Sequence, residues 1–315
     1  MITVDTRLDF RGALCPDNLF GHLAATAVPG VEEVCGTTYR RTLRMPSGPA
    51  IVALTPYLDH IACRATLSDV QDLAPLVARC RWLLDLDAEQ ATIDEQLGRD
   101  PALLAAVTAS PGRRIPRTVD TLEMAVRAVL GQQISTAAAR THTARLVQRH
   151  GEPTIDTEGA LTHLFPTIEA LADARPDMPT ARQRCFATLV RALADKQVVL
   201  DPCGDHSDTR RALAELPGIG PWTVAVIAMR ALGDDDVLPV TDLGVRKGAA
   251  AVGIAATPAA LTRHSEDWRP WRSYATQYLW AATDHPINTW PPPVAADRAA
   301  RSKASNATFV IAPPR

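Results

Sequence analysis

Residues 216–248 constrain the fold of this chain more than any other stretch. They read LPGIGPWTVAVIAMRALGDDDVLPVTDLGVRKG, with two glycines and two prolines among the first eight residues. The pattern before Leu216 is helical, and after Pro221 apolar residues recur at helical spacing. Gly218 and Gly220 can adopt positive φ and carry no Cβ over their backbone N–H groups. The stretch therefore predicts two helices joined by a tight glycine turn.

A turn of this kind can present several amides at a helix N-terminus to one small anion such as a phosphate. A plain helix–helix connection is the alternative, because a short Gly-x-Gly motif alone is weak evidence. Asp242 stands twenty residues after Trp222, behind a proline-bounded break and ahead of another helical run. Its carboxylate could serve chemistry, or it could simply cap the helix that follows.

The combination L-P-G-I-G-x-W-T with P-V-x-D-L-G is much more specific than either half. It resembles the helix-hairpin-helix glycosylases of base-excision repair, and among them the DNA-3-methyladenine glycosylase II group. The resemblance covers about residues 10–285 and is strongest in 121–149 and 211–282. It implies that Asp242 is catalytic. It also implies a phosphate-binding hairpin made of Leu216, Gly218, Ile219, Gly220, Trp222 and Thr223.

The domain organisation follows from where strand and helix patterns occur. A chain of 315 residues is long enough for two cores. Residues 1–90 mix helical stretches with three strand patterns, at 39–45, 50–55 and 60–66. Residues 91–285 are mostly helical, and 286–315 are rich in Pro, Ala and Ser, which predicts a disordered tail. We therefore expect an α+β protein with a small α/β N-terminal domain. The resemblance implies that the helical part is a two-lobed helix-hairpin-helix glycosylase domain with the DNA cleft between its lobes.

Composition and charge limit the partners and the compartment. The formal net charge is −2, so any DNA surface must be a local patch, for which the cluster Arg113, Arg114 and Arg117 is one candidate. The N-terminus has no secretory pattern, and no apolar run reaches the length of a membrane helix. Six irregularly spaced cysteines favour reduced, mostly buried thiols over disulfides or a zinc site. These features predict a cytoplasmic protein that makes no membrane contact, and the resemblance implies a bacterial, nucleoid-associated one.

Gly131-Gln-Gln-Ile-Ser135 interrupts a helical run that begins at a capping-box pattern, Asp120 to Glu123. On pattern alone, a capped break between two helices explains this stretch equally well. It also resembles the family segment that supplies the wedge into the DNA stack, which implies wedge residues at Gln132, Gln133 and Ile134. The family often has an apolar residue after the first Gln, so Gln133 would make this wedge polar.

The base pocket is inferred from the same resemblance. Trp222 and Trp280 could each be core residues, but the resemblance places Trp280 against the extruded base. Trp222 stands where strand-cutting relatives carry a Schiff-base lysine, and an indole cannot form an imine. This predicts a monofunctional enzyme without lyase activity. Val226 and His22 complete the predicted pocket at positions where relatives carry aromatic side chains.

The chemistry expected of such a pocket needs few groups. A purine alkylated at N3 or N7 is already cationic and leaves readily, so one carboxylate can replace the two of ordinary glycoside hydrolysis. Asp242 would stabilise the sugar cation and orient or deprotonate a water, and the tryptophan rings would favour a cationic base. No cofactor and no catalytic metal are expected. The resemblance alone implies an alkali cation at the carbonyls of Leu216 and Ile219.

We therefore predict a monofunctional DNA glycosylase that flips N3- or N7-methylated purines out of double-stranded DNA and hydrolyses the N-glycosidic bond. It is expected to act as a monomer on DNA that contains alkylated bases. Two alternatives remain open. One is a helix-hairpin-helix glycosylase for deaminated or oxidised bases, and the other is a non-catalytic module that binds damaged DNA.

Overall fold

The computed structural model describes residues 1–291 and begins with a five-stranded antiparallel sheet in the order β1-β5-β4-β3-β2. The strands are β1 (Ile2–Asp9), β2 (Glu32–Cys35), β3 (Thr38–Met45), β4 (Gly48–Pro56) and β5 (His60–Leu67). Helices α1 (Pro16–Thr26) and α2 (Leu73–Leu83) share one apolar core with it. The three predicted strands are confirmed, and β1 and β2 are additional. Of the residues of β1 only Leu8 is buried, which explains its weak sequence signal.

The remainder of the described chain is mostly helical, which confirms the predicted α+β class. A short pair of strands, β6 (Glu152–Pro153) and β7 (His163–Leu164), lies between helices. The helices are α3 (Gln90–Leu97), α4 (Pro101–Ala109), α5 (Thr121–Leu130), α6 (Thr136–His150), α7 (Ile168–Ala172), α8 (Thr180–Ala194), α9 (His206–Glu215), α10 (Pro221–Ile227), α11 (Leu243–Ala251), α12 (Pro258–His264) and α13 (Arg272–Ala281). None of the helices in residues 1–291 is both long enough and apolar enough to cross a bilayer.

Two separate apolar cores give the helical part its two lobes. One core draws on residues between 125 and 231, and the other combines residues 93–115 with residues 225–279. Helix α10 lies between them, because Val226 and Ile227 enter the first core while Ala225 enters the second. A π-helical turn, Ala228–Leu232, extends α10 and continues this sharing. The element predicted to organise the chain therefore joins the two lobes.

A buried ion cluster ties the sheet domain to the helical domain. Arg41 of β3 pairs with Glu123 of α5 at 2.7 Å, and Arg127 pairs with Glu32 and Glu123 at 2.9 and 2.8 Å. The Tyr39 hydroxyl donates to Glu32 at 2.5 Å. Two guanidinium groups thus face two carboxylates, so the charges within the cluster balance. The predicted capping box places Glu123 here, since α5 begins at an aspartate whose side chain accepts the Glu123 N–H.

Helices α11 and α13 approach each other unusually closely. A Cβ at Gly248 would lie 1.8 Å from the carbonyl oxygen of Leu279, so only glycine fits at this contact. The approach brings the N-terminus of α11, which carries Asp242, next to Trp280 at the end of α13. Backbone packing therefore positions the two predicted site residues relative to each other.

The segment after α13 differs from the predicted tail in its first six residues. Residues 286–291 return to α1, where the ring of Trp290 lies 5.2 Å from that of Phe20 and the Trp290 N–H donates to Asp17. The remaining residues of the predicted disordered tail, 292–315, lie outside the described part of the chain. The predicted domain bounds stay a prediction. All six cysteines are free thiols, and four of them are buried, as expected.

Candidate active site

A cleft of about 750 Å³ opens where α1 meets both helical lobes. Side chains from distant parts of the sequence line it together. Six of the predicted site residues are among them: His22, Ile134, Trp222, Val226, Asp242 and Trp280. The fold therefore brings the predicted carboxylate and the predicted base pocket into one space.

Asp242 is both a helix cap and a cleft residue, so the two alternatives for it do not exclude each other. One carboxylate oxygen accepts the Val245 N–H at 2.8 Å, which caps α11. The same oxygen accepts the Trp280 indole N–H at 2.9 Å, and the other oxygen accepts the Trp222 indole N–H at 2.8 Å. A carboxylate offers about four acceptor sites. Three donors hold this one in place, and one site stays open to a water or a sugar.

The two tryptophans are half-buried residues that line the cleft, and each also packs against one of the two apolar cores. Both direct an indole edge at Asp242, which leaves their ring faces to contact other groups. Gly244 permits this arrangement, because a Cβ there would lie 2.9 Å from Trp280 Cδ1 and 3.0 Å from Asp242 Oδ1. The sequence at the start of α11 therefore shapes the site as well as the helix.

Arg230 is a buried cleft residue that no motif in the sequence marks. It follows Val226 by one helical turn, the spacing that places two side chains on the same face. Its guanidinium donates to His22 Nε2 and, at 3.2 Å, to the Pro116 carbonyl. Burial lowers the pKa of His22 well below its usual value, and the nearby Arg230 and Arg127 add to the effect. His22 is therefore neutral and can accept the bond.

The predicted hairpin has the expected helix–turn–helix form, from α9 to α10. Gly218 adopts φ +87°, whereas Gly220 has an ordinary φ of −87° and precedes α10 without a side-chain cap. Within residues 1–291, the N–H groups of Gly218, Gly220, Trp222 and Thr223 donate to no acceptor. A Cβ at Gly220 would meet nothing within 4 Å. The turn thus carries a set of uncovered amides on an open side.

The glutamine loop between α5 and α6 differs in part from the predicted wedge. The Gln132 amide donates to the Gly218 carbonyl at 3.1 Å and to the Thr223 hydroxyl at 2.9 Å. It therefore holds the hairpin and is not free to enter a DNA stack. Gln133 is exposed at the loop tip with φ +59°, and Ile134 faces the cleft. A wedge role for these two side chains stays a prediction.

The alkali cation at the hairpin stays a prediction. The Leu216 carbonyl oxygen accepts the Ile219 N–H at 3.0 Å, and its second lone pair remains available to a cation. Backbone oxygens of Leu216 and Ile219 are the hard donors that such an ion takes. Its contribution would be structural, fixing the turn beside the uncovered amides.

The chain is similar to known proteins both in its N-terminal domain and over most of its length. Residues 5–120 match the family model for the AlkA N-terminal domain. The chain is 56% identical, over 92% of its length, to the probable bifunctional transcriptional activator/DNA repair enzyme AlkA of Mycobacterium tuberculosis, and spans 59% of that relative. It is 33% identical to DNA-3-methyladenine glycosylase 2 of Escherichia coli, covering 83% of this chain and 92% of that protein.

A solved structure shows the same fold. The 3-methyladenine DNA-glycosylase from Archaeoglobus fulgidus superposes with a TM-score of 0.74 over 88% of this chain and 97% of that one. Sequence identity in this pair is 17%. The likeness thus concerns the arrangement of a sheet domain on a two-lobed helical domain.

Proposed function

Because the chain belongs to the DNA-3-methyladenine glycosylase II family, we propose that it excises alkylated purines from double-stranded DNA. The reaction is hydrolysis of the N-glycosidic bond of a nucleotide that has been flipped out of the duplex. One observation carries the proposal: both indole N–H groups of the cleft and a backbone N–H hold the Asp242 carboxylate in place. The monomeric state, the cytoplasmic location and the independence of cofactors stay predictions.

The chemistry assigned to the cleft centres on Asp242. Flipping a nucleotide costs a few kcal/mol, and less for a damaged pair. The leaving base carries a positive charge when alkylated at N3 or N7, so it needs no separate acid. The fixed carboxylate then stabilises the developing charge on the sugar and uses its open acceptor site to orient a water. Trp222 and Trp280 act as positioning residues, since their N–H groups fix the carboxylate.

The hairpin is proposed to bind DNA phosphate through its uncovered amides. Phosphate contacts position a protein on the duplex but carry no information about the base. Arg140 and Lys247 line the cleft, and their positive charges are proposed to add to the attraction for DNA. Gln132 supports this grip by tying the α5–α6 loop to the turn. Gln133 and Ile134 are proposed to fill the space that the flipped base leaves.

Gly220→Ala is expected to weaken binding to damaged and undamaged duplexes by a similar factor, about tenfold for one lost charge-assisted hydrogen bond. The added methyl meets no protein atom, so it obstructs only what approaches the turn from outside. Fluorescence anisotropy with matched duplexes measures both affinities. Leu58→Ala is the control, because Leu58 is 99% exposed in the β4–β5 turn of the other domain. Loss of lesion discrimination alone would contradict the phosphate role.

Methylated duplex DNA is expected to yield free 3-methyladenine and strands that break only after alkali treatment. The chain has three lysines, Lys196, Lys247 and Lys303. Lys247 lines the cleft, but the position beside the hairpin that would need an amine holds Trp222. Borohydride treatment during the reaction should therefore trap no covalent complex. Chromatography of the released base and a denaturing gel of the strands measure the two results.

A glycosylase/lyase tested on its own substrate is the positive control for trapping. A trapped complex that disappears in Lys247→Arg would show lyase chemistry from the cleft rim and contradict the monofunctional proposal. No base release from methylated DNA would favour the alternative of a non-catalytic damage-binding module. Release from deaminated or oxidised duplexes but not from methylated ones would favour the other alternative.

A further inference from the structure

Arg230 carries a charge that the cleft leaves uncompensated. It is 6% exposed, and among residues 1–291 no carboxylate forms an ion pair with it. Buried charges are normally paired, because an unpaired one is costly to remove from water. Burial lowers the pKa of Arg230 to about 10, with nearby Arg127 adding to the effect, so the guanidinium remains charged at neutral pH. Asp242 attracts it, but only at longer range.

Most of its donors are also unused. A guanidinium has five N–H groups, and Nη1 gives its two to His22 Nε2 and the Pro116 carbonyl. Within the described residues, Nε and Nη2 make no hydrogen bond, and neither atom is fully buried. Arg230 lines the cleft, and these three N–H groups are the donors that it has left for a ligand there. The two bonds of Nη1 hold the side chain in position.

The guanidinium lies over the ring that is assigned to the extruded base. Its central carbon is 5.5 Å from the centre of the Trp280 ring, and the Trp280 N–H donates to Asp242. A base placed on this tryptophan would therefore meet a positive group and its donors in the same pocket as the catalytic carboxylate. Such donors suit an acceptor on the edge of a base, above all a carbonyl oxygen.

We propose that Arg230 determines which bases the pocket accepts, by donating to an exocyclic oxygen of the extruded base. This inference rests on the proposed glycosylase function and deepens it. The same positive charge repels a cationic base. Arg230 therefore reduces the difference in excision rate between alkylated purines, which are better leaving groups, and neutral bases. A neutral purine with an oxygen at C6 benefits most, since it takes the bond without the repulsion.

Single-turnover excision of three bases by wild type and Arg230→Met tests this role. The duplexes carry 7-methylguanine, which is cationic with a C6 oxygen; hypoxanthine, which is neutral with that oxygen; or unsubstituted purine, which has neither. The variant is expected to lose about 10- to 100-fold in hypoxanthine excision, the effect of one bond from a charged donor. Purine excision should change by less than about threefold. The 7-methylguanine rate should fall less than the hypoxanthine rate, or rise, as repulsion is removed.

Arg230→Lys keeps the charge but not the planar set of donors. It should shift the ratio of 7-methylguanine to hypoxanthine excision less than the Met variant does. If thermal unfolding shows that Arg230→Met does not fold, Arg230→Lys is compared with wild type in its place. Arg99→Met, at an exposed arginine paired with Glu95, is the matched control and should match wild type for all three bases.

Equal losses for all three bases would show that Arg230 only supports the fold, and unchanged rates would show no role; either overturns the inference. If wild type releases 7-methylguanine but the relative excision rates of the three bases are the same in the variants as in wild type, the proposed function stands and this inference alone fails. A wild-type protein that releases none of the three bases refutes the proposed function, and the inference with it.

Discussion

Asp242→Asn is expected to slow single-turnover excision of an alkylated purine about 10²–10³-fold, the usual effect of removing a fixed electrostatic group from a transition state. The substitution removes the negative charge that would face the sugar cation. It also disturbs the local hydrogen bonds, because three N–H donors point at the two oxygens. With its oxygen towards Val245 and Trp280, the new amide would turn its NH₂ group against the Trp222 N–H.

Trp222→Phe separates these two effects, since it removes that N–H and keeps the charge of Asp242. We expect a smaller loss of rate for Trp222→Phe than for Asp242→Asn. The double variant should be about as slow as Asp242→Asn alone. Asn caps a helix nearly as well as Asp, so thermal unfolding should change little. A double variant that recovers wild-type excision would mean that the mismatched amide, and not the lost charge, causes the defect.

Arg41→Met is expected to lower the free energy of unfolding by about 3–5 kcal/mol, the cost of breaking a buried ion pair from one side. The variant leaves Glu32 and Glu123 with Arg127 as the one guanidinium between them. Methionine fills much of the vacated volume, so the loss is mainly electrostatic. Urea unfolding at neutral pH measures it. Arg64→Met, which removes an exposed pair with Asp5 on the same sheet, should change stability little.

The pH dependence distinguishes a charge effect from a packing effect. Burial raises the pKa of Glu123, but Arg41 and Arg127 outweigh it, so the wild-type pKa lies below its usual value. A depressed carboxyl pKa stabilises the fold above the unfolded pKa, and this contribution is lost as the pH falls through the folded one. Without Arg41 the buried Glu123 carboxyl binds a proton more readily. The loss of unfolding free energy in Arg41→Met relative to wild type should therefore become smaller as the pH falls from about 7 to 4.5. A deficit that does not depend on pH would indicate lost packing.

The sequence predicts those features of this protein that depend on short spacings. The glycine turn, the carboxylate after it and the capped start of α5 are each encoded within a few residues, and the structure has all three. The twenty-residue spacing from Trp222 to Asp242 is also informative, because together with the turn it forms a specific motif. Local chemistry is sufficient for such elements because few conformations satisfy both the glycines and the caps.

Features that depend on tertiary contacts are not visible in the sequence. The cluster of Arg113, Arg114 and Arg117 resembles a basic surface, yet all three are buried, and Arg117 pairs with Asp85 and Asp235. The sequence around Gln132 resembles a wedge, but in the fold the Gln132 amide donates to the Gly218 carbonyl of the hairpin, 86 residues away. The unpaired charge of Arg230 also depends on tertiary contacts, since its neighbours come from α1 and α13. Spacing along one helix cannot show which groups a fold will leave without partners.

The Asp242 carboxylate is proposed to act in the chemical step of excision. The most direct test measures binding and excision by wild type and Asp242→Asn on one duplex that carries a single alkylated purine. We expect equal or tighter binding by the variant, because a carboxylate repels phosphates, together with excision about 10²–10³-fold slower at saturating enzyme. Excision by the variant at close to the wild-type rate would contradict this role, and would leave Asp242 as a helix cap alone.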